Sequence, residues 1–284
     1  MNLQNPKKFK MLVDQAHEVA LHVLRPVSRK YDKAEHAYPK ELDMLASLVD
    51  GMNEGGEGMN AGAAGAGNRS ESDNEGNRNG TNMSTALSII EMCYGDTGLL
   101  LSMPRQGLGN SAIAAVANDE QLERFKGTWA AMAITESGCG SDSAAIRTTA
   151  IKDGDDYILN GEKIFVTSGE RADSVVVWAT LDKKLGRAAI KSFVVPKGTE
   201  GMKVERLEHK LGIKASDTAV ISFIDCRVPA ANLLGNAEVD VAKGFAGVME
   251  TFDNTRPLVA AMAIGCAKAS LERIKEIFKY QLDA

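Results

Sequence analysis

The spacing of apolar positions along the chain changes twice. Phe9, Leu12, Val13, Ala16, Val19, Ala20, Val23 and Leu24 recur every three or four residues, which predicts an amphipathic first helix. Pro26 is expected to end or kink it, because proline lacks the N–H that a helix needs. A second helix is expected after Pro39, burying Leu42, Leu45 and Leu48. Helical spacing resumes over 85–101 through Leu87, Ile89, Ile90, Met92 and Cys93, with Asp96 and Gly98 near a break. It continues over 108–126 with Ile113, Val116 and Leu122 inside. Between these helices, residues 51–84 are rich in Gly, Asn, Ser and Glu and have almost nothing to bury. That composition predicts a long flexible loop, read first as a solvated insertion and alternatively as a mobile lid.

The middle of the chain alternates instead. Residues 148–151, 157–159, 163–167, 174–180, 190–195, 202–205 and 220–225 are short runs rich in Val, Ile and Phe, which predicts strands. Asp153-Gly154 and Asn160-Gly161 have the residues that tolerate the positive φ of tight hairpin turns, so the strands are expected to form a compact antiparallel β domain. Helical spacing returns from Ala242 onward. The expected architecture is α+β and multi-domain: an α-helical N-terminal domain over 1–128, a β domain over 129–236, and the start of a helical bundle over 237–284.

Composition narrows the function. The chain has 284 residues, 44% of them hydrophobic, enough for a substantial core. Lys and Arg number 33 against 38 Asp and Glu, which speaks against nucleic acid as a partner. Cys93, Cys139, Cys226 and Cys266 stand far apart with no CxxC pair, and the histidines number four. This favours reduced thiols in a cytoplasmic setting over a zinc site, and His17, His22 and His36 read as surface or core residues. Lys7, Lys8 and Lys10 are not followed by an apolar segment, so no signal peptide is expected, and no apolar run approaches membrane-spanning length.

The chemistry concentrates in residues 130–142, Ala-Ala-Met-Ala-Ile-Thr-Glu-Ser-Gly-Cys-Gly-Ser-Asp. A short buried strand breaks there into hydroxyls and glycines, and Gly138 and Gly140 are free to take positive φ and to let a ligand approach the backbone. Alone, the stretch reads as a tight turn. It is followed by Asn160-Gly161-Glu162-Lys163-Ile164-Phe165-Val166-Thr167-Ser168-Gly169, by Lys210-Leu211-Gly212-Ile213 with Ser216-Asp217-Thr218, by Arg227-Val228-Pro229-Ala230 with Asn232-Leu233-Leu234-Gly235, and by Phe252-Asp253-Asn254-Thr255-Arg256-Pro257. In order and spacing these five blocks resemble the acyl-CoA dehydrogenases, FAD enzymes that oxidise acyl-CoA thioesters and pass electrons to an electron-transfer flavoprotein. The resemblance is dense from about 130 to 280 and thinner before that.

That resemblance implies roles. Met132, Ile134, Thr135, Gly140 and Ser141 line up with the first flavin- and substrate-contacting block, and Phe165, Val166 and Thr167 with the second. Hydroxyls and N–H groups there would stabilise charge gathering on a reduced flavin, and Phe165 would cover its ring where many relatives carry Trp. Ser137 replaces the proline usual after Thr-Glu. Asp253 and Arg256 line up with residues that hold the CoA portion, and Ser141 also faces substrate. Pro257 supports this, since its missing N–H frees the carbonyl of Asp253 inside a helix.

The family's catalytic base is a Glu. Most members place it in a C-terminal part beyond the stretch matched here, and a minority at the position that falls on Thr255, which cannot act as one. The expectation is therefore a truncated chain or a half-site subunit of a dimer or tetramer, inactive and self-associating by itself, with Glu136 and Glu250 the first alternatives to test as base. Val259, Met262, Cys266, Ile274, Ile277 and Phe278 would form an uncovered apolar stripe on the last helix. The alternatives are a non-catalytic subunit of a heteromeric acyl-CoA dehydrogenase and an acyl-CoA oxidase or flavin monooxygenase on the same scaffold.

Overall fold

The computed structural model describes residues 7–54, 81–105, 107–239 and 246–282. Its helices are α1 (Lys10–Val19), α2 (Arg25–Lys33), α3 (Glu41–Glu54), α4 (Thr81–Gly95), α5 (Thr97–Leu101), α6 (Leu108–Val116), α7 (Asp119–Arg124) and α8 (Ala246–Leu282). The strands are β1 (Ala130–Ala133), β2 (Thr149–Asp153), β3 (Asp156–Thr167), β4 (Ser174–Thr180), β5 (Ile190–Pro196), β6 (Met202–Leu207) and β7 (Thr218–Pro229). Two compact units result: Met1–Met103 with Leu211–Ala215 and Thr255–Ala284, and Pro104–Lys210 with Ser216–Asn254.

The first unit is helical. Ala16, Leu24, Leu42, Ile89, Met92, Leu99 and Ala261 meet in its core, as the three-to-four spacing requires. Pro26 does not end the first helix. The preceding turn widens into a π-helical segment, Ala20–Leu24, and the Arg25 N–H donates to the Ala20 carbonyl five residues back, so the helix continues into α2 past Pro26. The expected loop over 51–84 is shorter at both ends, because α3 runs on to Glu54 and α4 starts at Thr81; a nucleated helix extends cheaply into weakly helical sequence. The remainder of that loop, and the side chain of Leu48, lie outside the described residues.

Polar contacts bind these helices as well. Buried Glu91 accepts from Lys268 Nζ at 2.7 and 2.8 Å and lies 2.8 Å from His17 Nδ1, which gives that histidine a partner and links α1, α4 and α8. Helices α4 and α8 cross at Gly265, where a Cβ would stand 2.3 Å from the Ile90 carbonyl and 2.8 Å from Cys93 Cβ. Gly265→Val should therefore force the crossing apart and cost about 1–3 kcal/mol, read as a lowered denaturation midpoint. Further along α8, Val259, Ile274, Ile277 and Phe278 are exposed, whereas Ala261 and Ala269 are buried.

The second unit is a seven-stranded sheet, ordered β1-β4-β2-β3-β7-β6, with β5 beside β4. Most ladders are antiparallel, but β4 is joined in parallel by β1 and, where Thr149 pairs with Thr180, by β2. A parallel pairing needs no hairpin, so turn residues carry no sign of it. Alternate residues of β4 serve two cores: Val175 and Val177 pack with Phe193 and Ile221, Val176 and Trp178 with Ile113 and Val248. Both faces are covered, so every residue of β4 is buried.

Two local expectations change. Residues 157–159 and 163–167 belong to one strand, β3, and Asn160-Gly161 is a bulge inside it, not a turn. Gly161 has φ of 154° and its Cβ would lie 2.4 Å from Thr148 Oγ1, while Asn160 bonds across to Asp225. The glycine answers a close approach within a bulge. Gly154, with φ of 63°, does form the β2–β3 turn. The expected helix over 108–126 is two, α6 and α7, because Asn118 and Gln121 form a reciprocal cap that starts α7 afresh.

Candidate functional site

Beyond β1 the chain makes a tight four-residue turn, in which Glu136 and Cys139 each donate a backbone N–H to the other's carbonyl at 3.1 Å. The Thr135 carbonyl accepts the Ile164 N–H at 2.9 Å, which seats this turn beside β3. Beneath it lies an ion pair. Lys163, fully buried, donates to Glu136 Oε1 at 2.8 Å and to the Ile134 carbonyl at 3.0 Å. Glu136 also accepts from the N–H groups of Arg147 and Thr148 and from Thr148 Oγ1. Burial alone would push the Glu136 carboxyl up; the Lys163 ammonium and these hydrogen bonds overcome that and hold it below the ordinary carboxylate range.

This pair is the part of the site that motif reading missed. Its signal was available: counting inward positions along β3 from Tyr157 and Leu159 places Lys163 on the buried face. A lysine there demands a carboxylate partner. The finding also removes Glu136 as a base, since its oxygens are fully engaged. The side chain of Glu250 lies outside the described residues.

The residues singled out from sequence divide into three groups. Thr135, Met132 and Thr167 are half-buried, and Gly140 and Ser141 are exposed. Phe165 is 61% exposed and has φ of 57°, at a register shift between Lys163 and Val166 that turns its ring outward. By contrast, the side chains of Ile134 and Val166 are buried in the cores, so these two residues offer only backbone to a ligand. Third, Asp253, Thr255 and Arg256 all lie on α8; Asp253 and Arg256 are exposed and Thr255 is buried. Gly138 and Gly140 do not use positive φ. What they supply is room, for a Cβ on either would meet nothing within 4 Å.

Thr135, Gly140, Ser141, Phe165 and Thr167 all belong to the second unit and offer an outward aromatic ring, open space over a glycine, and hydroxyls. The hydroxyls of Thr135, Ser141 and Thr167 are unspent on other side chains among the described residues. Such a set of groups suits a flat, hydrogen-bonding heteroaromatic ligand, and the donors fit a flavin ring.

The comparisons agree on the class. Residues 131–226 match the model of the acyl-CoA dehydrogenase middle domain. The chain is 33% identical over 287 aligned positions to acryloyl-CoA reductase (NADH) of Anaerotignum propionicum, covering 96% of this chain and 66% of that protein. Butyryl-CoA dehydrogenase from Megasphaera elsdenii superposes with a TM-score of 0.78 at 30% identity, covering 97% of this chain and 70% of the other. A glutaryl-CoA dehydrogenase from Mycobacterium smegmatis, solved with FADH2, superposes at 0.75 with 25% identity, covering 94% and 64%. The chain belongs to the acyl-CoA dehydrogenase family. It spans just under two thirds of the length of the acryloyl-CoA reductase.

Proposed function

We propose that this chain forms the flavin- and CoA-binding part of an FAD-dependent enzyme that removes hydrogen across the α,β bond of an acyl-CoA thioester and delivers electrons to an electron-transfer flavoprotein. The observation that carries the proposal is the outward Phe165 beside the free hydroxyls of Thr135 and Thr167, inside the stretch that matches the family's middle domain. The chemistry that bound FAD would supply is hydride acceptance from the β-carbon. Phe165 covers one side of the ligand and excludes water. Thr135, Ser141 and Thr167 would donate hydrogen bonds where negative charge builds, and the open space over Gly138 and Gly140 would leave room for a ring against the backbone. Thr255 is no base, because a hydroxyl cannot hold the α-proton at neutral pH.

Asp253 and Arg256 hold the CoA portion, exposed on α8 around the break that Pro257 makes in its hydrogen-bond ladder. Arg256→Ala should raise KM for an acyl-CoA far more than for a truncated thioester without the nucleotide, since an arginine on CoA contributes only when CoA is present. Equal losses on both would move Arg256 out of the CoA site. The wider proposal is tested by adding saturated acyl-CoA thioesters, without oxygen, to the flavin-loaded native protein. Bleaching of the flavin absorbance, with slow return in air, is the expected result. Flavin that stays oxidised with every thioester would identify a non-catalytic subunit, and rapid return in air an oxidase.

A further inference from the structure

A cavity of about 300 Å³ opens in the helical unit, and two cysteines line it. Cys93 stands on α4 and is buried; Cys266 stands on α8 and is exposed. Both line the same cavity, and a Cβ on Gly265, the neighbour of Cys266, would be 2.8 Å from Cys93 Cβ. Thr97, also in the cavity wall, places its Oγ1 2.8 Å from Cys266 Sγ. The other wall groups include Arg25, Asp96 and Lys214.

We propose that Cys266 and Cys93 form a peroxide-reactive thiol pair that closes to a disulfide joining α4 to α8. The division of labour follows from access. Cys266 is open to solvent, so its thiolate attacks the O–O bond of a hydroperoxide, forming an S–O bond and releasing water or alcohol. Cys93 is sheltered, and burial pushes its thiol up to about 12, so it does not react with oxidant directly. It then attacks the Cys266 sulfur; the S–S bond forms, the S–O bond breaks, and the departing hydroxide leaves as water with the Cys93 proton. The balance is two thiols and one hydroperoxide to one disulfide, one water and one water or alcohol.

Cys139 and Cys226 are both buried in the other unit and serve as internal controls. The experiment treats the folded native protein with hydrogen peroxide, counts free thiols, and maps peptides without reductant. The expected result is loss of two of the four thiols, a linked peptide pair carrying Cys93 and Cys266, a raised denaturation midpoint, and reversal by dithiothreitol. Cys93→Ser should leave Cys266 as a sulfenic acid that dimedone traps. A wild-type protein in which Cys266 oxidises to sulfinic acid while Cys93 stays free would overturn the proposal. So would linkage of Cys93 or Cys266 to a different cysteine.

Discussion

Lys163→Met is expected to destabilise the sheet unit by about 3–5 kcal/mol, because it leaves Glu136 buried at full charge with its cation gone. Equilibrium denaturation of the single variant and of the pair Lys163→Met with Glu136→Gln would show this. The double variant should recover at least half the loss, since the amide oxygen of Gln still accepts from Thr148 while no charge remains buried. The pH dependence has a definite sign. In the native protein Glu136 is held below its ordinary value of 4.5, so its contribution is complete above that pH and is lost as pH falls towards the lower folded value. In Lys163→Met the ammonium is gone and burial is opposed only by the hydrogen bonds from Thr148 and Arg147, so the carboxyl moves up and acid relieves the uncompensated charge. The gap between the two proteins should therefore narrow from pH 7 to pH 4. A gap that widens would mean the carboxylate is not buried as the hydrogen bonds require.

Gly140→Val should leave folding intact and weaken FAD binding by roughly 10- to 100-fold, the equivalent of about 1–3 kcal/mol of forced displacement. The separation of the two effects is the point. A Cβ at residue 140 meets no protein atom within 4 Å, and the backbone there does not use positive φ, so the folded chain has no reason to resist a side chain. Only a ligand lying against that backbone would. Circular dichroism and the denaturation midpoint should match the native protein while the flavin dissociation constant rises. Unchanged affinity would show that the flavin does not pass over Gly140.

Sequence periodicity located most elements because each depends on local burial. The inward alternation of Val175 and Val177 against Val176 and Trp178 defines β4 at the bounds the structure shows. Long-range features were less legible. The parallel seat of β1 against β4 is decided by burial on both faces, and nothing in residues 130–133 declares it. Asn160-Gly161 has the chemistry of a turn, yet the crowding of Thr148 against Gly161 is visible only once the strands are paired. At the site, the motif blocks named Thr135, Gly140, Phe165 and Thr167, but could not say which side chains face out. Ile134 and Val166 turn inward because strand alternation puts them on core faces. The buried pair, Glu136 with Lys163, stood within the same blocks and became legible only through its burial.

The most direct measurement is a fluorescence titration of the native protein with FAD, run beside Thr167→Ala. Thr167 carries a hydroxyl unspent on other side chains and sits next to the outward Phe165, so its loss removes one hydrogen bond to the ring and little else. The native protein should quench flavin fluorescence saturably, and the variant should bind about fivefold more weakly, corresponding to roughly 1 kcal/mol. Identical titration curves for the two proteins, or no saturable quenching by the native one, would contradict a flavin held by these residues.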